Sequence, residues 1–395
     1  MGATASTMVS IIADDLTGAC DTGCLFAGSG PVGVVAAPAL PASDRAIIAV
    51  DTESRALPPG DAARVIRALA ARLGPRLASG LTFKKIDSTM RGAVGAELAA
   101  LLDGGPFAGA LVCPAFPAQR RVVRHGRLLV DSVPVHESPI ARDPTFRATT
   151  SEMAALLGAA GAPVVTLTLD DVRAGREKIA HVLERHPGAI VSAEAETDAD
   201  LAALALALAS APGTLAVGSA GLGRALSHTL GTTAPAPALP AGAARLVVVG
   251  SLHPASRAQL EALARAGVTC VEADATGHGD PAPAVAALVA GRPACVASVS
   301  AEAAAREAVA RQVAQAATRV LERARPDLTV VTGGDTAFAL LRALRPERLE
   351  LLGAPADGLS LGDLTLPGGR RLALLTKAGG FDAAPLFAAI RGGAS

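Results

Sequence analysis

The sequence predicts an α/β protein of two domains, each with a mainly parallel sheet flanked by helices. Three observations predict it. Short β-branched runs alternate with alanine-rich helical stretches along the whole chain, a polar or glycine-bearing turn separates each run from its helix, and one proline-rich stretch interrupts the alternation. Length agrees, because 395 residues exceed a single domain of about 150.

In order, strands are expected at Val9 to Ala13, Ala46 to Val50, Thr82 to Ile86, Ala110 to Cys113, Val164 to Leu169, Ala189 to Ser192 and Leu215 to Val217. A second set follows at Leu246 to Val249, Val268 to Val271, Ala294 to Val299, Leu328 to Val331 and Leu372 to Leu375. Between the sets, Thr233 to Ala244 carries Pro235, Pro237 and Pro240 without any hydrophobic period, which makes a stiff connector. The expected domains are therefore residues 1–232 and 245–395, joined by a linker at 233–244.

Composition narrows the function. Hydrophobic residues make up 50% and charged ones 18%, the opposite of a disordered chain. Lys plus Arg (36) balance Asp plus Glu (36), so the chain lacks the basic footprint of sequence-independent nucleic-acid binding. With 8 Phe, no Tyr and no Trp, stacking platforms for bases or long polysaccharides are missing too. A small, polar, non-aromatic ligand is the expectation. The apolar run Met8 to Ala13 is too short for a signal peptide, and Leu201 to Val217, broken by Pro212 and Gly213, falls short of the ~20 residues of a membrane span. The 5 cysteines, at 20, 24, 113, 270 and 295, read as buried small hydrophobes in a reducing compartment. A cytoplasmic protein with neither nucleic acid nor membrane as partner is expected.

Ligands of open parallel sheets bind beyond the carboxyl ends of strands. In the first domain those positions read Asp14-Asp15-Leu16-Thr17-Gly18, Asp51-Thr52-Glu53-Ser54-Arg55 and Asp87-Ser88-Thr89-Met90-Arg91-Gly92, with Lys84 and Lys85 just before the last. Carboxylates accept hydrogen bonds from sugar hydroxyls, and a guanidinium holds a carboxylate through two parallel bonds, so the mixture suits a hydroxylated acid. The plainer alternative is that Asp14 or Asp15 caps a helix and that the lysines and Arg91 form surface pairs.

In the second domain the strand ends read Gly250-Ser251-Leu252-His253-Pro254, Thr332-Gly333-Gly334-Asp335-Thr336 and Thr376-Lys377-Ala378-Gly379-Gly380. Successive N–H groups at a glycine turn and helix N-terminus make an anion cradle, with Gly334 expected where a phosphate approaches the backbone at positive φ. A glycine after a strand is also a routine turn device. No Walker P-loop is present, and Gly218-Ser-Ala-Gly221-Leu-Gly223 has the wrong spacing for a dinucleotide fingerprint, so it reads as a tight strand-to-helix turn. The histidines show no metal spacing, and the metal ligands are left unassigned.

Taken together, Ile12-Ala-Asp-Asp-Leu-Thr-Gly-Ala-Cys-Asp21, Lys84-Lys-Ile-Asp-Ser-Thr-Met-Arg-Gly92, Pro114-Ala-Phe-Pro-Ala-Gln119, Val249-Gly-Ser251, Thr332-Gly-Gly-Asp-Thr336 and Lys377-Ala-Gly-Gly-Phe381 resemble the four-carbon acid sugar kinases. Motif order is kept over nearly the full length. The sequence departs from the family at Gln119-Arg120-Arg121, where Gln-Gly-Arg is usual, and at Phe381-Asp382, where a second glycine is usual. The resemblance implies ATP-dependent phosphorylation of the terminal hydroxyl of a four-carbon acid. D-threonate or D-erythronate is favoured over 3-oxo-tetronate on the stretch Val135 to Pro144. It implies that Asp14, Arg55, Asp87, Ser88, Thr89 and Arg91 hold the acid, with Lys85 in the same cluster, and that Ser251, Gly333, Gly334, Asp335, Thr336, Gly379 and Gly380 hold ATP. Asp335 is the first candidate for the catalytic base and Asp14 the second; Mg2+ is expected with the nucleotide, and the oligomeric state is left open, a homodimer being one assembly the reading allows. The competing readings are a nicotinamide-dependent hydroxy-acid dehydrogenase and a non-enzymatic sugar-acid-binding protein.

Overall fold

The computed structural model describes residues 8–36, 43–142, 149–250, 254–273, 279–298 and 306–377. The chain forms two compact units, one of Ala46–Thr233 with the residues up to Ser29, the other of Gly30–Arg45 with the residues from Ala234 onward. In chain order the strands are β1 (Val9–Ala13), β2 (Val32–Ala36), β3 (Ile47–Asp51), β4 (Leu81–Lys85), β5 (Gly109–Cys113), β6 (Arg121–Arg124), β7 (Arg127–Val130), β8 (Val133–Pro134) and β9 (Val164–Leu167). They continue as β10 (Ile190–Ala193), β11 (Thr214–Gly218), β12 (Arg245–Val249), β13 (Thr269–Ala273), β14 (Ala294–Ser298), β15 (Leu328–Thr332), β16 (Arg348–Gly353), β17 (Leu359–Thr365) and β18 (Arg371–Lys377).

The sheet of the first unit runs β3-β1-β4-β11-β5-β10-β9, every pair parallel. Strands β1, β3 and β5 are buried along their whole length, as sheets covered on both faces require. The helix Pro59–Leu73 shows how the cover is made: Ala62, Ile66, Leu69 and Ala70 fall at helical spacing and are all buried. A separate antiparallel sheet, β6-β7-β8, turns at His125-Gly126, both at positive φ, the geometry of a tight hairpin.

In the second unit β13-β14-β12-β15-β18 are parallel, and β17, β16 and β2 extend the sheet antiparallel. Val247, Leu263, Leu328, Val330 and Leu361 belong to its core. A single break at the proline-rich stretch leaves residues 30–45 with the first unit. They belong with the second, because β2 pairs with β16, Gly33 opposite Glu350, and Arg45 Nε donates to Glu350 at 2.7 Å. Thr233 to Ala244 is neither helix nor strand.

The glycine-rich turn after β11 is built for packing. Ser219 caps the helix Ala220–Thr229 by accepting from Gly221 N at 3.1 Å and donates to Ala115 O at 2.8 Å. A side chain at Gly221 would come within 2.7 Å of that same carbonyl. Cys20, Cys24, Cys113 and Cys295 are buried as expected; Cys270 is exposed, because β13 is the outermost strand of its unit. Among the described residues no helix is long and apolar enough to cross a membrane.

Candidate active site

Register explains why the polar clusters of the first unit meet. Ala13 stands opposite Asp51 on one side and Lys85 on the other, so the segments leaving β1, β3 and β4 emerge side by side. Asp15 does cap the helix Leu16–Leu25, accepting from Gly18 N at 2.9 Å. Capping is only half its work. Arg55 donates through Nε and Nη2 to Asp14 at 2.9 and 2.7 Å, and through Nη1 and Nη2 to Asp15 at 2.7 and 2.9 Å. The turn that delivers Arg55 is itself fixed, with Ser54 N and Arg55 N both donating to Asp14 O at 3.0 and 3.1 Å.

Beyond β4, Thr89 donates to Asp87 through its backbone N at 2.9 Å and through its hydroxyl, and Arg91 Nη2 donates to the other carboxylate oxygen at 2.6 Å. Lys85 is buried and donates to Ile86 O at 3.1 Å. Its neighbour Lys84 is fully buried against Glu97, 2.7 Å away, and Ser54 Oγ donates to the same carboxylate. Thus Asp14, Arg55, Lys85, Asp87, Ser88, Thr89 and Arg91 are gathered at one end of one sheet. Two participants escape the strand-end rule. Glu97 lies inside the helix Val94–Gly104, and Arg121 opens β6, where its Nη1 donates to Ser88 Oγ at 2.7 Å. The Arg120-Arg121 doublet after Pro117 was the visible signal for the second; nothing local pairs Glu97 with Lys84.

Electrostatics separate the carboxylates. Burial works to raise Asp14, but the charge and hydrogen bonds of Arg55, helped by Lys84 and Lys85, outweigh it and hold the group below its ordinary value. Asp87 is likewise buried, yet Arg91, Arg55 and Thr89 hold it well below. Asp51 goes the other way: burial first, then the neighbouring Glu53, push it well above the usual carboxylate range. Two carboxylates held low by arginines, beside a third that burial pushes up, form a cluster suited to binding polar groups.

In the second unit Val249 stands opposite Thr332, and Thr332 opposite Lys377, so the ends of β12, β15 and β18 are neighbours. Gly333 caps the helix Gly334–Leu344 at φ 92° and donates from its N to Lys377 O at 3.0 Å. The positive φ therefore sits at Gly333 and not at Gly334, which is already the first helical residue. Any side chain at Gly250 would collide with the hydroxyl of Thr336. Asp335 is exposed in the first helical turn, Thr336 is buried beneath it, and Lys377 is buried. A left-handed glycine, a helix N-terminus and a nearby lysine fit an anion. Ser251, Gly379 and Gly380, named from the sequence, lie outside the described residues. Among the described residues no group of three or more His, Cys, Asp or Glu gathers at metal-binding distance.

Comparison with known proteins gives each half a class. Residues 9–226 match the sugar-binding N-terminal domain family and residues 246–384 the nucleotide-binding C-terminal domain family. Together these describe a protein that pairs a sugar-binding half with a nucleotide-binding half. The chain is 36% identical over 402 residues to D-threonate kinase of Bordetella bronchiseptica, covering 94% of both chains. It is 43% identical over 143 residues to D-erythronate kinase of Heliobacterium modesticaldum, 34% of this chain and 32% of that one. In fold it is similar to a crystal structure from Salmonella typhimurium LT2, with a TM-score of 0.80 at 20% identity, covering 97% of this chain and 99% of the other. The chain belongs to the four-carbon acid sugar kinase family and is a sugar-acid kinase.

Proposed function

We propose that the protein transfers the γ-phosphoryl group of ATP to the terminal hydroxyl of D-threonate. The observation that carries this reading is the saturated Asp14–Arg55–Asp15 array beside Asp87 and Arg91, a rigid polar floor for a hydroxylated acid. The end-to-end similarity to a D-threonate kinase favours that acid over D-erythronate, whose kinase matches a third of the chain.

In this reading Asp14, Arg55, Lys85, Asp87, Ser88, Thr89 and Arg91 orient the acid, while Ser251, Gly333, Gly334, Thr336, Gly379 and Gly380 hold the nucleotide. Phosphoryl transfer asks the protein mainly to position the hydroxyl and to neutralise spreading negative charge. Asp335, exposed beside the Gly333 turn, accepts the hydroxyl proton; Asp14 is engaged by Arg55 and held ionised, which leaves it little basicity. Magnesium, were it to come with the nucleotide, would help neutralise the phosphate charge, and no residue of this chain is assigned to hold it.

ADP release measured over D-threonate, D-erythronate and 3-oxo-tetronate tests the reading. The highest kcat/KM is expected with D-threonate. Absence of ADP release with every four-carbon acid would overturn it, and hydride transfer or binding without turnover predicts that absence.

Gly333→Val probes the nucleotide side. A branched side chain is strained at φ 92° and intrudes on the N–H groups that would face phosphate. ATP affinity by calorimetry is expected to fall at least roughly tenfold, while affinity for the acid stays. Unchanged ATP affinity would mean that the turn only shapes the helix start.

A further inference from the structure

The first unit's cluster is almost self-neutralising. Arg55 gives its fork to Asp14 and Asp15, Arg91 faces Asp87, and Lys84 faces Glu97. Lys85 lends its charge to Asp14 and donates to a carbonyl. A free acid entering such a site meets cations that already have anions.

Arg121 differs from all of these. It follows Arg120, whose backbone is left-handed, and is clamped by paired backbone bonds: Phe116 N donates to Arg121 O at 2.7 Å, and Arg121 N to Phe116 O at 3.2 Å. Its guanidinium reaches Ser88 through Nη1 at 2.7 Å, whereas Nε is buried and has no partner among the described residues. Among those residues no carboxylate forms an ion pair with it either; Asp87 and Asp131 act only from a distance, and burial outweighs them to pull its pKa below the ordinary arginine value. A partly buried guanidinium without an anion is costly. The edge of the fork formed by Nε and the second terminal nitrogen matches the two oxygens of a carboxylate.

We infer that Arg121 receives the carboxylate of the sugar acid, with Ser88 steadying it, and so makes the enzyme choose acids over uncharged analogues. The inference rests on the reading of the protein as a kinase of four-carbon acids. It is a specificity role: the reacting hydroxyl is at the other end of the substrate.

The test compares D-threonate with D-threonamide, its uncharged amide, as substrates of the unmodified chain, Arg121→Ala and Arg121→Lys. Arg121→Ala should raise KM for the acid at least roughly 30-fold, the lower range for truncating one partner of a buried charge pair, with little change in kcat. Selectivity for acid over amide should fall by the same factor. Arg121→Lys, which keeps the charge and loses the fork, should fall between. A merely structural role would lower turnover of both substrates alike, and an unchanged acid-to-amide ratio in either variant would overturn the inference. Should the unmodified chain turn over no four-carbon acid, the functional reading fails first; should it do so and Arg121→Ala keep its KM, only the role of Arg121 is lost.

Discussion

Asp335→Asn is expected to lower kcat by roughly 10²–10⁴, with a smaller change in KM for either substrate, as loss of a positioned proton acceptor does. Asparagine keeps the size and much of the hydrogen bonding of the side chain, so the helix Gly334–Leu344 should still form. The loose transition state of phosphoryl transfer sets the lower end of that range, since the hydroxyl loses its proton late. Two other roles give different results. If Asp335 only complements the positive end of its helix, the variant loses on the order of 0.3–1 kcal/mol of stability and keeps its kcat. If it organises magnesium, activity returns in part at high metal concentration. Asp14→Asn is the control: a larger fall in kcat there, with Asp335→Asn near the unmodified rate, would move the base to the first unit.

Arg55→Ala is expected to have the largest effect on stability and to abolish acid binding. Asp14 is 2% exposed and relies on Arg55 for two hydrogen bonds, so truncation strands a buried carboxylate. Breaking such a pair from one side costs about 3–5 kcal/mol. The pH dependence gives a second readout. In the unmodified protein Asp14 has a folded pKa below its unfolded value, so its contribution is present above the unfolded pKa and fades as pH falls through the folded one. Without Arg55, burial dominates and the folded pKa rises above the unfolded value, so the variant gains relative stability on acidification. The gap in unfolding free energy between the two proteins should therefore narrow between pH 7 and pH 4. Adding Asp14→Asn to Arg55→Ala should recover stability without recovering turnover. A gap independent of pH would show that Arg55 acts through packing alone.

Strands followed by helices were legible because each announces itself locally, as an apolar run and then a polar turn. Strands β2, β16 and β17 escaped because they pair antiparallel, outside the regular alternation of parallel strand and helix. The hairpin of β6 and β7 carried a usable signal in His125-Gly126, but its strands are short and half polar. Asp14, Arg55 and Asp87 could be found by position alone, since each lies just beyond a strand that register places beside the others. The pairing of Lys84 with Glu97 and of Ser88 with Arg121 depends on how a helix and a hairpin fold back over the sheet end, which no spacing encodes. Gly334 was named for a conformation that Gly333 adopts, because a helix cap sits one residue before the helix.

Strand β2 has a further consequence. The chain starts in one unit, leaves it to place a single strand in the other, and returns. Division at the proline-rich stretch therefore yields neither unit whole: the amino-terminal fragment carries a strand with no mate of its own unit, and the carboxyl-terminal fragment presents the edge of β16 bare. During synthesis β2 emerges well before β16, so an apolar segment waits on the nascent chain for its mate in the second unit. The second unit cannot be completed until Arg348–Gly353 has been made, which ties its maturation to a strand far along the chain from β2.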